Sequence, residues 1–229
     1  MGTTQKMITT EFTADGFGII RMLNGQNRLN IDFLTELNSA LDRVLSNKDC
    51  KALITTSEGK FYSNGIDLDW LFEQPKEIGQ KFSNLLHDTL WRIMHFPLPT
   101  VAALNGHAFA GGAFIAISHD YRVMRADRGW ICWNETHLKL PIGEPLHEVL
   151  NTKVWNLDAM REAVVFGRRI TAPEAKSLSL VDSVVELDKL LPEAKRLAKH
   201  ALGNNDIDRN ALTMMKSNTY VRKIFPSKL

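Results

Sequence analysis

Asn105-Gly106-His107-Ala108-Phe109-Ala110-Gly111-Gly112-Ala113-Phe114 follows the strand-like run Thr100-Val101-Ala102-Ala103-Leu104 and leads into residues that favour a short buried helix. Strand, glycine loop, helix is the pattern that organises this chain. It occurs again at Lys60-Phe61-Tyr62-Ser63-Asn64-Gly65-Ile66-Asp67-Leu68, after the buried-strand run Ala52-Leu53-Ile54-Thr55-Thr56. Glycine lets the main chain approach a ligand with no side chain between them, so two such loops can aim N–H groups at one developing negative oxygen. A carboxylate, Glu135, follows about two dozen residues after the second loop. Two loops and one carboxylate are the parts of an oxyanion site with a single acid or base.

Outward from these loops, residues 7–12 and 17–23 predict two strands about the turn dipeptide Asp15-Gly16. Asn30 stands where a helix cap belongs, ahead of Leu34, Leu37, Leu41, Val44 and Leu45 at helical spacing. A second helix is predicted over 76–95 and is ended by Pro97 and Pro99. Strands are predicted at 121–126 and 130–133. Beyond residue 146 the pattern turns helical, with a brief strand over 180–185 and a last helix near 188–202. The order of strands and helices predicts an α/β layout, stacked turns of sheet with helices outside and a helical C-terminal portion. Residues 1–185 are expected to form the core, and 186–229 a C-terminal helical segment.

Composition narrows the partners. With 229 residues, 44% of them hydrophobic, the chain can bury one sizeable core. A net charge of +2, from 28 basic and 26 acidic residues, leaves no broad basic footprint, so nucleic acid is not an expected partner. No apolar run is long enough to span a membrane, and the first residues lack a secretory apolar core. Cys50 and Cys132 fit no metal or redox spacing and are expected to be buried reduced thiols. Ser227-Lys228-Leu229 matches a receptor-read peroxisomal address, which predicts an import receptor as partner and the peroxisomal matrix as location.

In order and spacing over residues 20–185, the paired loop strings resemble the signature of the crotonase, or enoyl-CoA hydratase/isomerase, superfamily. The resemblance implies a ββα spiral core and places the two N–H donors to a thioester oxygen at Ile66 and Gly111. Asn27-Arg28-Leu29-Asn30 resembles the stretch that the family lays against coenzyme A. Asn27, Arg28 and Leu29, with Asn64 of the first loop, are therefore expected to bind substrate, and Asp67 is expected to be structural. Of the two glutamates that the family's hydratases use, one position falls on Phe114, which cannot move a proton and is expected in the apolar surround of the substrate. The other is Glu135, within Trp133-Asn134-Glu135-Thr136-His137-Leu138. That string is similar to the monofunctional Δ3,Δ2-enoyl-CoA isomerase branch, in which one carboxylate does all the proton shuttling. The resemblance further implies a homotrimer or dimer of trimers and no metal or other cofactor, coenzyme A being part of the substrate.

The chemistry is coherent in its own right. Removing the C2 proton of a 3-enoyl thioester yields a dienolate whose charge reaches the thioester oxygen, and one base can return that proton at C4. An apolar surround from Phe114, Trp133 and Ile66 would raise the carboxylate's proton affinity. The rivals are hydration or thioester hydrolysis on the same scaffold, and a non-catalytic acyl-CoA-binding module. His107 and His137 are expected to be structural and Glu144 solvated. Met214, Met215, Lys216, Arg222 and Lys223 read as a solvated basic tail, with too little chain after residue 203 for a helical one. The walls of an acyl tunnel are expected from residues 69–90 and the C-terminal helices.

Overall fold

The hairpin about Asp15-Gly16 forms one edge of the main sheet: β1 (Ile8–Phe12) and β2 (Phe17–Met22) pair antiparallel, Ile8 opposite Met22 and Phe12 opposite Gly18. The computed structural model describes residues 6–203 and 207–220. In α1 (Ile31–Ser46), the Asn30 side chain accepts the Phe33 N–H at 2.9 Å, and Leu34, Leu37, Leu41 and Val44 fall on the buried face. The cap satisfies one of the N–H groups that a helix start leaves unpaired, and the apolar stripe supplies the packing that makes the helix stable.

Three rounds of strand, strand and helix follow. The first is β3 (Ala52–Ser57), β4 (Phe61–Ser63) and the pair α2 (Leu68–Phe72) and α3 (Lys76–Met94). Next come β5 (Thr100–Leu104), β6 (His107–Phe109) and α4 (Gly111–Ser118), then β7 (Tyr121–Arg125), β8 (Ile131–Cys132) and α5 (Glu135–Leu138). After α6 (Glu144–Lys153), the short α7 (Leu157–Ala159) runs into a π-helical stretch, Met160–Val165. The chain continues through α8 (Ala172–Ser177), β9 (Ser183–Val185), α9 (Leu190–Leu202) and α10 (Arg209–Thr219). The first strand of each round enters a six-stranded sheet, β1-β2-β3-β5-β7-β9, and the second enters a three-stranded sheet, β4-β6-β8. Apart from the β1–β2 hairpin, every strand pair is parallel.

The larger sheet is covered on both faces, as parallel strands require. Phe17, Ile19, Ile54, Val101 and Ala103 pack under α9, while the alternating Ile20, Met22, Leu53, Ala102 and Leu104 belong to the main core with α1, α3 and α4. Period-two alternation of apolar side chains on both faces explains why β3 and β5 read as continuous apolar runs. Each such side chain contributes roughly 1.5–3 kcal/mol when fully withdrawn from water. A buried network then ties the sheets together: Thr55 Oγ1 of β3 lies 2.7 Å from the Tyr62 hydroxyl of β4 and 2.9 Å from His119 Nε2 beyond α4. Burial lowers the His119 pKa to about 4, so the ring stays neutral within it.

Several expectations change. β4 and β6 have three residues each, too few to show alternation, and they passed for loop in the sequence. The strands of 121–126 and 130–133 lie in different sheets. The C-terminal part does contain a helix after residue 203, and Lys216 on it is not solvated. Only 6% exposed, it donates to Phe96 O at 3.0 Å, Leu98 O at 3.1 Å and Asp120 Oδ2 at 2.7 Å. Met214 and Met215 beside it are exposed. Arg222, Lys223 and Ser227-Lys228-Leu229 lie outside the described residues. Cys50 and Cys132 are buried and unpaired. Among the described residues no helix is long and apolar enough to cross a membrane, and no group of His, Cys, Asp or Glu gathers that could hold a metal.

Candidate active site

The first loop is pinned by a parallel bridge between Leu29 and Ile66: Leu29 N–H donates to Gly65 O at 2.8 Å, and Asp67 N–H donates to Leu29 O at 3.0 Å. In this pattern the bridged residue's own N–H faces the other way, which turns the Ile66 amide from Leu29 toward the second loop. There Ala110 holds φ +48° and ψ −119°, a conformation that an L-residue rarely adopts. It is held from both ends, its N–H donating to Cys132 O at 2.8 Å and its C=O accepting Phe114 N–H at 3.0 Å. Gly111 then opens α4. Its N–H has no acceptor within the helix and sits at the positive end of the helix dipole.

The two loops approach closely because both carry glycine where they touch. A methyl on Gly111 would stand 3.5 Å from Ile66 N and 2.7 Å from Leu29 Cδ1. A methyl on Gly65, which has φ +81°, would stand 3.2 Å from Gly111 N and 2.8 Å from Phe109 O. Any side chain at residue 65 would push the loops apart and strain its own backbone.

A cavity of about 340 Å³ lies against the two loops, lined by Ile66, Ala110, Asn134 and Glu135, by Arg28, Asn64 and Asp69, and by apolar side chains that include Leu68, Phe109 and Leu138; Gly111 lies just behind Ala110 and is not part of its wall. Glu135 enters it as the first residue of α5. The turn behind it is closed by Lys139 in the left-handed conformation, with Leu140 N–H donating to Glu135 O at 3.0 Å. Burial raises the Glu135 pKa from 4.5 to about 7, partly opposed by the residue's own backbone N–H. Its Oε2 is buried and has no hydrogen-bond partner among the described residues. Phe114 and Trp133, both buried, meet edge to face with ring centroids 5.9 Å apart.

Of the residues expected to bind substrate, Arg28 and Asn64 line the cavity. The Arg28 guanidinium is paired with Asp69 at 2.7 Å and Asp67 at 3.4 Å, which hold its pKa further up, and Asn64 Nδ2 donates to Gln26 Oε1 at 2.7 Å. Asp67 also accepts the Trp70 N–H at 3.5 Å as the cap of α2. The structure does not bring the side chains of Asn27, Leu29 and Phe114 to the cavity wall; all three are fully buried. Asn27 braces the first loop from inside. Its Nδ2 donates to Ser57 Oγ at 2.9 Å and Tyr62 O at 3.1 Å, and its C=O accepts Ser63 Oγ at 2.7 Å. Leu29 wedges against Gly111, and Phe114 backs Trp133.

Glu144 is exposed at the start of α6 and does not line the cavity. His107 is packed among Phe61, Phe109 and Trp130; burial lowers its pKa, and Lys60, Arg128 and Arg169 lower it further. His137 lines a neighbouring cavity with Cys132 and Arg168. Sequence reasoning missed the wall formed by Leu138, Leu140, Pro141, Ile142 and Leu146. Their apolar character was visible after Glu135, but not the direction in which the turn at Lys139 would send them.

Comparison with known proteins bears on this geometry. The family model described as enoyl-CoA hydratase/isomerase matches residues 14–223. A relative from Arabidopsis thaliana named enoyl-CoA delta isomerase 2, peroxisomal, is 35% identical over 185 residues, covering 77% of this chain and 76% of the relative. A Thermus thermophilus relative named putative enoyl-CoA hydratase is 34% identical over 186 residues, covering 78% of this chain and 71% of its own length. The crystal structure of human mitochondrial delta3-delta2-enoyl-CoA isomerase superposes with a TM-score of 0.85 at 25% identity, over 93% of this chain and 83% of that one.

Proposed function

The chain belongs to the enoyl-CoA hydratase/isomerase family, and from that premise we propose that it is a Δ3,Δ2-enoyl-CoA isomerase, moving the 3-double bond of a fatty acyl-CoA to the trans-2 position. The observation that carries this reading is the Glu135 carboxylate, whose buried Oε2 has no hydrogen-bond partner among the described residues, in the cavity that the two converging loops line. With a pKa raised to about 7, Glu135 is partly ionised at neutral pH and can both take and return a proton.

In this mechanism the Glu135 carboxylate removes a proton from C2. The electron pair delocalises through the double bond to the thioester oxygen, and the Ile66 and Gly111 N–H groups donate to that oxygen. The protonated Glu135 then delivers the same proton to C4, leaving the double bond between C2 and C3. Removing one fixed donor of this type from other enzymes costs about 3–4 kcal/mol of transition-state stabilisation. Coenzyme A enters as part of the substrate, beside Arg28 and Asn64, and no step calls for a metal or redox cofactor.

Hydration is the competing reading, and the Thermus relative carries that name. It normally divides the work of placing water and delivering a proton between two groups, and the position where a second glutamate is expected holds Phe114, buried against Trp133. Incubating the protein in parallel with trans-3-hexenoyl-CoA and trans-2-hexenoyl-CoA separates the two. We expect the first to become the 2-enoyl ester and the second to remain; conversion of the second to a 3-hydroxy ester as the faster reaction would replace this reading with hydration.

A peroxisomal matrix location is part of the proposal, supported by the compartment named in the Arabidopsis relative. So are an import receptor that reads Ser227-Lys228-Leu229 and a homotrimer or dimer of trimers. Imaging of the tagged chain with and without that tripeptide, and its sedimentation mass, test these points.

A further inference from the structure

Asn134 Oδ1 and Glu135 Oε2, on consecutive residues, are both buried and both without a hydrogen-bond partner among the described residues, and both residues line the 340 Å³ cavity. Asn134 stands at the N-cap of α5, where an asparagine ordinarily turns its side chain back onto the helix. Here it makes no such bond. With φ −92° and ψ 18° its backbone lies outside the extended region that a capping residue adopts, and its C=O alone serves the helix, accepting the N–H groups of His137 at 3.0 Å and Leu138 at 3.2 Å. Asn134 also borders a second cavity, of about 480 Å³, which it and Phe109 line together with His137, Arg168 and Arg169, the last three exposed. It therefore has solvent access on one side and the cavity of the carboxylate on the other.

Two buried acceptors with no donor are costly, and one molecule that donates to both removes the cost. Water has two O–H groups and can give one to each oxygen, which neither a single main-chain amide nor an acyl chain can do. It suits either protonation state of Glu135, donating to the carboxylate and accepting from the neutral carboxyl. We propose that Asn134 Oδ1 and Glu135 Oε2 hold such a water, supplied from the cavity of His137, Arg168 and Arg169, and that through it the proton taken from C2 exchanges with solvent before one is returned at C4. Asn134 is then a positioning residue, acting on the reaction through the water. In D2O the exchange balances: the neutral carboxyl gives its proton to the water and takes a deuteron from it, leaving COOD and HOD with no change of charge, and solvent replaces the HOD. The inference rests on reading Glu135 as the base of a 3-enoyl-CoA isomerase.

The test converts trans-3-hexenoyl-CoA in D2O, stopped early, and reads deuterium at C4 of the trans-2 product by mass spectrometry and NMR. The labelled fraction is counted per product molecule, so it does not depend on how much of a variant is folded. Proton transfer between hydrogen-bonded oxygens is faster than transfer to carbon, and in the wild type we expect deuterium at C4 in more than about half of the product. Asn134→Leu removes the acceptor at similar volume, and the labelled fraction should fall at least about fivefold. Asn134→Val is a second acceptor-free variant, and Asn134→Ser, which keeps an acceptor, should regain most of the label. A merely structural role for Asn134 would lower turnover in all three and leave the labelled fraction unchanged. A wild-type fraction below about one-tenth, or one that stays the same in both acceptor-free variants, overturns the inference and leaves isomerisation standing. If the wild type makes no 2-enoyl product, the isomerase reading fails and the exchange route fails with it.

Discussion

At Lys216 the fold surrounds a buried ammonium with Phe96 O, Leu98 O and Asp120 Oδ2, whereas at Glu135 it buries a carboxylate and leaves Oε2 without a donor among the described residues. Burial alone lowers the Lys216 pKa, but Asp120 opposes that effect by charge and hydrogen bond. Asp120 is itself anchored by the Thr100 N–H and hydroxyl at 2.9 and 3.0 Å. The outcome is a fastener that holds α10 against the turn at Phe96 to Leu98 and the start of β5. Glu135 has no counter-charge of that kind among the described residues, and its burial emerges almost undiluted as a raised pKa. The contrast separates a charge saturated with partners, as a structural one is, from a buried oxygen left open, which is what the proposed proton transfer needs.

Replacing Glu135 with Gln breaks the contrast most severely. Turnover of 3-enoyl-CoA falls by about 10³-fold or more, the loss expected of a sole acid/base, while saturated acyl-CoA binding persists. Stability moves the opposite way. The folded pKa of about 7 lies above the ordinary 4.5, so the advantage of the neutral carboxyl is complete below pH 4.5 and is lost as pH rises through 7. At pH 8 the Gln variant therefore gains up to roughly 3 kcal/mol in urea unfolding, and at pH 4 it gains nothing. A loss of stability at pH 8 would mean that the carboxylate has a partner after all.

Lys216→Met tests the other pole. It strands the Asp120 carboxylate and two carbonyls, at a cost of about 3–5 kcal/mol in unfolding free energy, with turnover per folded molecule close to wild type. A thermal melt within a degree of wild type would show that Asp120 has found water and that the fastener is dispensable. The mildest effect is on the pH profile of the wild type. As Glu135 protonates, kcat/KM should drop about tenfold for each unit below pH 7 and level off above it. A flat profile from pH 5 to 8 would place the working base elsewhere.

The same contrast marks how far the chain could be read. The two glycine loops were legible because such loops punctuate a sequence strongly, and it was the family resemblance that put Ile66, Gly111 and Glu135 forward. Asn30 as a cap and the apolar stripe of α1 were legible because local conformation and one-sided burial leave a period in the sequence, and β3 and β5 because burial on both faces leaves a continuous apolar run. The inward turn of Asn27 and Phe114 was not. Asn27 sits in a stretch that resembles a ligand-binding one, and only the approach of Ser57 and Tyr62 from 30 and 35 residues away shows that its amide is already engaged. Lys216 was misread for the same reason: a lysine between exposed methionines carries no local sign of the three acceptors that reach it from residues 96 to 120.

By itself, then, the sequence determined the α/β class and the two glycine loops, because these depend on residue type and short spacing. Tertiary structure decided what surrounds each group: that Oε2 of Glu135 is left unpaired among the described residues, that Lys216 is saturated, and that a second cavity adjoins the first. Proton affinity, charge compensation and cavity shape all arise from atoms distant in the chain, and the dielectric around a side chain is a property of its neighbours in space, which no local pattern encodes.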